Sequence, residues 1–329
     1  MSDASLPPAF LERLARIVPP ERLPAVRATF EAPAATGFRA VPLVAPEADT
    51  LARLTAEGVP FMAVEGVLGA FAVPAGARAA LLASGPYREG HLYVQNVSSQ
   101  LPPLLLGARP GERVLDLCAA PGSKTGQVAA LMQNEGTLDA VEKVRARYYK
   151  LRANVEAQGA TLVRAHCASG TAFWHRAPES YDRVLLDAPC STEGRFHTAD
   201  PESVRYWSPR KVKEMRAKQQ RLLFAAVQAL RPGGTLVYAT CTFAPEENEG
   251  VLTKALRTFG GRLEVVEAGL PETGPVAAAA LPGLASWEGR PFHPQVTRAR
   301  RVLPDGLLEG FFVARLVKHD STAGPPGAR

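Results

Sequence analysis

The sequence predicts an α/β fold: a mostly parallel sheet with helices on both faces, preceded by a smaller N-terminal α+β module. Three observations lead there. From about residue 110, short apolar runs alternate with amphipathic stretches, the β-α-β-α rhythm of a parallel sheet covered on both sides. The apolar runs stop at small or acidic residues just before the helical patterns start, as strand ends do in open sheets. The first hundred residues lack the rhythm and are rich in Gly and Pro, so they form a separate module.

Taken in order, "RVLDLCAA" (113–120) reads as a strand and "SKTGQVAALMQ" (123–133) as a helix with apolar residues at helical spacing. "GTLDAVE" (136–142) is the next strand. "VRARYYKLRANVEAQG" (144–159) is a helix stopped by Gly159, a residue suited to the left-handed C-terminal position. "TLVRAHC" (161–167), "DRVLLDAP" (182–189) and "GTLVYAT" (234–240) are further strands, with a long helix over about 210–230 ending at "RPGG". "LEGFFVARLVK" (308–318) is a late strand expected at or near a sheet edge. Upstream, "PPAFLERLARIVPPERLPAVRATFEA" reads as two short helices broken by prolines. The domain reading is therefore an N-terminal module over 1–100, a main domain over 101–319 and a frayed tail over 320–329.

A chain of 329 residues, 46% hydrophobic and 21% charged, has the balance of an ordinary globular protein. The longest apolar runs are short and broken by proline, so no membrane span is expected. The N-terminus lacks a basic segment followed by an apolar one, which gives a cytoplasmic expectation. Four cysteines, Cys118, Cys167, Cys190 and Cys241, without C-x-x-C spacing make neither a disulfide framework nor a zinc site. Net charge is +6, and its distribution is informative. "VRYWSPRKVKEMRAKQQR" (204–221) carries Arg205, Arg210, Lys211, Lys213, Arg216, Lys218 and Arg221 against the single acid Glu214, with Tyr206 and Trp207 inside. "RPFHPQVTRARRV" (290–302) is a second basic stretch. Both are candidates for nucleic-acid contact.

The first strand runs into "CAAPGSK": Cys118, Ala119, Ala120, Pro121, Gly122, Ser123 and Lys124. Small residues between strand and helix let backbone amides approach a ligand closely. The turn is neither a G-x-G-x-x-G dinucleotide fingerprint nor a phosphate-binding P-loop. Glu142 ends the second strand, where a carboxylate can accept from both hydroxyls of a ribose. An adenosine-type ligand with no phosphate clamp points to S-adenosylmethionine as cofactor.

Asp187 and Cys190 follow the fourth strand, and Cys241 follows the fifth. If those strands are neighbours they lie about 4.8 Å apart, and both thiols enter one cleft. A lone cysteine is ordinarily a small buried hydrophobe, and Cys118 and Cys167 are read that way as thiols. Two at matched strand ends suit methylation at C5 of a pyrimidine: one thiolate adds to C6, making C5 nucleophilic, and the other assists release. Asp187 can stabilise the base as charge develops. Lys124 is expected to face the same cleft.

At this point "VLDLCAAPGSKTGQ", "VLLDAPCSTEG", "WSP" followed by "QQRLL", "LRPGGTLVYATCTFAPEENE" and "EGFFVARL" together resemble the RNA 5-methylcytosine methyltransferases of the NOL1/NOP2/Sun family, in particular the bacterial 16S rRNA members of the RsmB and RsmF type. The resemblance spans roughly residues 90–318. It implies a Rossmann-like class I S-adenosylmethionine-dependent fold with a mostly parallel seven-stranded sheet. It also implies Cys241 as nucleophile, Cys190 in product release, and Asp187 between cofactor and cytosine. The turn 118–124 with Glu142, Arg147, Ser169 and Asp187 would hold the cofactor. Ser169 stands where the family has an acid facing the adenine. The expected substrate is RNA, rRNA before tRNA, bound by a monomer without metal. Two alternatives remain: the same reaction on tRNA, and a catalytically silent RNA-binding or ribosome-assembly factor on this fold.

Overall fold

The computed structural model describes residues 6–322. The chain opens with helices α1 (Pro8–Ile17) and α2 (Leu23–Ala28), then β1 (Thr36–Ala40), α3 (Glu47–Ala56), β2 (Met62–Ala63), β3 (Ala70–Val73), α4 (Arg78–Ala83), α5 (Gly85–Arg88) and β4 (Leu92–Val94). Strands β2-β3-β1-β4 form a small antiparallel sheet with its own core of Phe38, Leu54, Phe71, Val73 and Leu81. The helices α1 and α2 do not join that core. Phe10, Leu14 and Phe30 pack instead on Phe196, Phe243 and Leu303, far along the chain.

Helix α6 (Val97–Leu106) leads into β5 (Arg113–Asp116), α7 (Ser123–Leu131), β6 (Thr137–Glu142), α8 (Arg145–Ala157), β7 (Val163–Cys167), α9 (Gly170–Phe173), β8 (Tyr181–Asp187), α10 (Pro201–Val204), α11 (Pro209–Ala229) and β9 (Leu230–Thr240). There follow α12 (Glu249–Phe259), β10 (Leu263–Val266), α13 (Gly274–Ala279), β11 (Ala280–Pro282), β12 (Ser286–Trp287), β13 (Arg290–Pro291), β14 (Arg300–Val302) and β15 (Phe311–Lys318). Helix α11 begins where the sequence says it should: Pro209 is its first residue and the Ser208 hydroxyl accepts from the Lys211 amide at 3.1 Å. Helix α8 stops ahead of Gly159, which takes a φ of +67°.

The large sheet runs β11-β14-β15-β9-β8-β5-β6-β7, with β10 also on β15. Strands β7, β6, β5, β8 and β9 are parallel, and β15 returns antiparallel to β9. With β10 this makes seven strands of a Rossmann-like methyltransferase sheet, extended by β14 and β11. The late strand is therefore not at an edge. β9 pairs with one side of β15, and β14 and β10 share the other, at Phe311–Val313 and Arg315–Lys318 respectively. The run "FFVARLVK" is buried almost throughout, the signature of an interior strand.

Successive residues of each strand alternate between the two faces. Leu115, Val184, Leu186 and Tyr238 pack under α11 and α12, while Val114, Leu185 and Val237 pack under α6, α7 and α8. The buried pair Glu249–Arg301 ties α12 to β14 by two hydrogen bonds, and Arg301 Nη1 donates to the Phe243 carbonyl at 2.8 Å. The residues 320–322 are tethered, since the Thr322 amide donates to Glu179 at 2.6 Å. The rest of the expected tail, 323–329, lies outside the described residues.

Removing one member of a buried ion pair strands the other charge. Arg301→Leu is therefore expected to lower stability by about 3–5 kcal/mol in denaturant unfolding, far beyond the loss from an exposed pair such as Arg205–Glu202.

Candidate functional site: a cofactor cavity with paired thiols

The strand order reverses between β5 and β8, and the carboxyl ends of these strands open into a cavity of about 570 Å³. Cys118, Ala119, Ala120, Pro121, Ser123, Lys124, Glu142, Arg147, Ser169, Asp187, Cys190 and Cys241 all line it. Of the candidate catalytic and cofactor residues only Gly122 does not. It works through its backbone, with φ at +105° ahead of α7 and its carbonyl accepting from Gln158 Nε2 at 3.3 Å.

Glu142 keeps one oxygen on the Val144 amide at 2.7 Å and the other 3.3 Å from Arg147 Nη1. Arg147 also donates to the Ala120 carbonyl at 2.8 Å, so it braces the turn. A carboxylate has about four acceptor positions, so Glu142 retains capacity for a ligand. The Ser169 hydroxyl meets Thr171 Oγ1 at 2.9 Å. Asp116 was not singled out, yet it lines the cavity. Thr125 donates to its Oδ2 at 2.7 Å, its Oδ1 has no partner, and burial pushes its carboxyl up to about 6.

Lys124 is buried, with Nζ 2.6 Å from both Ser99 Oγ and Asp187 Oδ2. The nearby cation holds Asp187 at the mouth of the thiol site. Ser99 also escaped the sequence reading, because nothing in "NVSSQL" marks one serine over its neighbour.

Strands β8 and β9 are parallel neighbours in a register that sets Asp187 opposite Ala239. Cys190 and Cys241, a few residues beyond, therefore meet, with their sulfurs 3.4 Å apart. That distance is far beyond a covalent S–S bond, and both thiols are free. The pair is electrically asymmetric. The Cys190 thiol is pushed up, first by its hydrogen bond with Cys241 and then by burial and the nearby Glu247. Cys241 is drawn down, first by that same bond and then by Arg195. Arg195 is in turn raised by Cys241 and Glu309, and its Nε donates to Glu309 at 2.9 Å. Of the two, Cys241 is therefore the thiol that ionises more readily and Cys190 the one that keeps its proton to higher pH.

The loops after β8 and β9 are bound to each other. Glu193 is buried and accepts from Trp207 Nε1 at 2.8 Å, Thr242 Oγ1 at 2.9 Å and the Phe243 amide at 3.1 Å. The Gly194 amide donates to the Cys241 carbonyl at 3.0 Å. Behind Cys190, Glu247 accepts from the Ser191 amide at 3.1 Å and Gln219 Nε2 at 2.7 Å, and burial pushes its carboxyl up to about 8.

Cys118 lines the cavity, but burial pushes its thiol far up. Cys167 departs from the expectation of a buried hydrophobe: it ends a strand on the sheet margin and is exposed. The basic stretches also divide. In the second, Arg298, Arg300 and Arg301 pair with Glu264, Glu267 and Glu249, so all of its arginines but Arg290 are neutralised internally. In the first, Arg210, Lys213, Lys218 and Arg221 stand exposed on α11, with no ion pair among the described residues. Trp207 is core, whereas Tyr206 is 71% exposed with the Arg205 guanidinium over its ring at 5.2 Å.

The chain is similar to known RNA methyltransferases. The chain is 39% identical over 233 residues to a tRNA (cytosine(49)-C(5))-methyltransferase of Pyrococcus abyssi, covering 70% of this chain and 72% of that protein. It is 39% identical over 242 residues to ribosomal RNA small subunit methyltransferase F of Serratia proteamaculans, covering 73% of this chain and 47% of that protein. It thus spans about half the length of the latter. A crystal structure of a methyltransferase homologue from Pyrococcus horikoshii superposes with a TM-score of 0.78 at 29% identity, covering 95% of this chain and all of that one. Residues 103–317 match the model of the 16S rRNA methyltransferase RsmB/F family. That is well over half of the sequence, and the chain belongs to this family of S-adenosylmethionine-dependent RNA methyltransferases.

Proposed function

We propose that the protein methylates C5 of an unpaired cytosine in RNA, preferentially rRNA, through a covalent adduct between Cys241 and C6 of the base. The observation that carries this reading is the contact of two free thiols, 3.4 Å apart, on the wall of the cofactor cavity. The residues fit S-adenosylmethionine: small residues at 118–123, Glu142 with acceptor capacity for ribose hydroxyls, and the unpartnered Asp116 oxygen for a donor of the ligand. When bound, the cofactor supplies an electrophilic methyl group.

The chain's own residues do the rest. The Cys241 thiolate adds to C6, and the ring electrons move to C5, where the new carbon–carbon bond forms. Asp187, fixed by Lys124, accepts a hydrogen bond from the N4 amine and orients the base, and the Lys124 ammonium beside it offsets the negative charge that builds on the ring. Cys190 then acts as the base: as a thiolate, no longer beside a charged Cys241 once that sulfur is bonded to C6, it takes the C5 proton while the bond between Cys241 and C6 breaks, which restores the aromatic ring and frees Cys241. The target base must be turned out of any stack to expose C6. The unpaired cations of α11 hold the backbone, and Tyr206 offers a face for a neighbouring base. We place the enzyme in the cytoplasm with its RNA substrate.

The same reaction on tRNA is favoured by one observation: the archaeal relative of which the chain covers 72% is named for a tRNA cytosine. Labelled methyl transfer to unmodified 16S rRNA, 23S rRNA and tRNA, followed by nucleoside analysis, separates the readings. 5-Methylcytosine in rRNA supports the first and in tRNA the second. Its absence from all three, with cofactor binding lost in calorimetry, leaves a silent RNA-binding factor.

Cys241→Ala is expected to abolish methyl transfer while leaving cofactor affinity nearly unchanged; retained turnover would move the nucleophile elsewhere. Cys190→Ala is expected to accumulate a protein–RNA adduct, visible as a slow band on a denaturing gel. Glu247 gives a pH signature. Its folded value near 8 lies above the unfolded value of about 4.3, so its contribution to stability is complete below about pH 4 and is lost as pH rises through about 8. Glu247→Gln keeps the contacts without the charge. Denaturant unfolding at about pH 5 and about pH 9 is expected to show the variant gaining on the parent as pH rises.

A further inference from the structure

We infer that a second groove, across α9, α11 and α12, is a docking site for an unpaired nucleotide of the RNA strand next to the target base; the inference rests on the RNA reading above. The groove encloses about 580 Å³, close to the cofactor cavity in size, and Thr171 and Arg221 line both. The groove therefore adjoins the cavity that holds the thiols, with Thr171 and Arg221 as the shared wall.

Its walls are aromatic. Phe224 is 39% exposed on a helix whose other exposed positions are mostly charged. The Phe224 ring stacks on Phe259 at 5.4 Å and meets Trp174 edge-on at 6.4 Å, and Trp174 stacks on His175 at 3.8 Å. Its rim is cationic. No acid lines it, and Arg221 and Lys254 have no ion pair among the described residues.

Flat apolar faces beside unneutralised cations match the two halves of a nucleotide, a base with a π-face and a phosphate. A regular duplex buries its base faces, so the groove selects single-stranded RNA. A protein partner would need acidic residues of its own to meet Arg221 and Lys254.

The test uses the full chain and a fluorescein-labelled, unstructured RNA of about twelve nucleotides, a length spanning a typical single-strand site. Binding is followed by anisotropy, and calorimetry measures cofactor affinity. Phe224→Ala is expected to weaken RNA binding about tenfold, within the range for losing one stacked base. Phe224→Tyr should restore it, which separates stacking from folding. Lys254→Glu, an exposed change with no partner to lose, is expected to weaken it by a comparable factor and to flatten its salt dependence. Cofactor affinity should not change in any of the three. If the parent binds the RNA and these variants bind it equally well, the groove belongs to a protein partner and the inference is overturned while the RNA reading stands. If the parent binds neither this RNA nor rRNA nor tRNA, the RNA reading fails and takes the groove assignment with it.

Discussion

The site depends on one buried carboxylate. Glu193 accepts three hydrogen bonds, from Trp207, Thr242 and the Phe243 amide, and so binds the loop after β8 to the loop after β9. Adjacent parallel strands are about 4.8 Å apart, but loops leaving them are free to diverge. The clamp prevents that. Gly194 takes part too. A Cβ there would lie 1.9 Å from the Gly310 carbonyl, so only glycine lets the entry to β15 press against this loop. With both loops held, the sulfurs of Cys190 and Cys241 have little choice but to touch.

Contact between two thiols does not by itself decide which one reacts. The asymmetry comes from what stands around them. Arg195 acts on Cys241, while Glu247 lies behind Cys190. Glu247 is fully buried and the two thiols partly so, while Arg195 reaches them from the exposed rim, so these charges are screened less than they would be in water. Burial also pushes the Glu247 carboxyl up to about 8, and its charge acts on Cys190 and not on Cys241. Cofactor cavity, thiol pair and Lys124–Asp187 thus form one electrostatic unit at the strand ends.

The N-terminal residues contribute to that unit in two ways. Phe10, Leu14 and Phe30 pack against Phe196 and Phe243, supporting the clamped loops from outside. Arg39, on β1 of the small sheet, is buried and reaches the cofactor turn, donating to the Ser123 carbonyl at 3.0 Å and to Gln95 at 2.9 Å, with Gln158 as a further partner. No carboxylate among the described residues pairs with it, and burial lowers it to about 10. A buried guanidinium held by neutral oxygens fixes geometry, since each lost acceptor would leave a donor unsatisfied.

The sequence by itself determined the alternation of strands and helices from residue 113 onward, the placing of Cys190 and Cys241 at successive strand ends, the acid at Glu142 and the small-residue turn before α7. These are local properties: hydrophobic period, helix caps and turn chemistry act over a few residues and are written where they act. What only the tertiary structure decided involves partners distant along the chain. The strand at Phe311–Lys318 reads locally as any apolar run, and its interior place comes from pairing with β9 on one side and β10 and β14 on the other. The basic runs at 204–221 and 290–302 look alike as composition. They differ because the acids Glu249, Glu264 and Glu267 come back to neutralise only the second. Ser99, Arg195 and Glu247 join the site for the same reason: burial and long-range contact, not residue type, give those side chains their electrostatic roles.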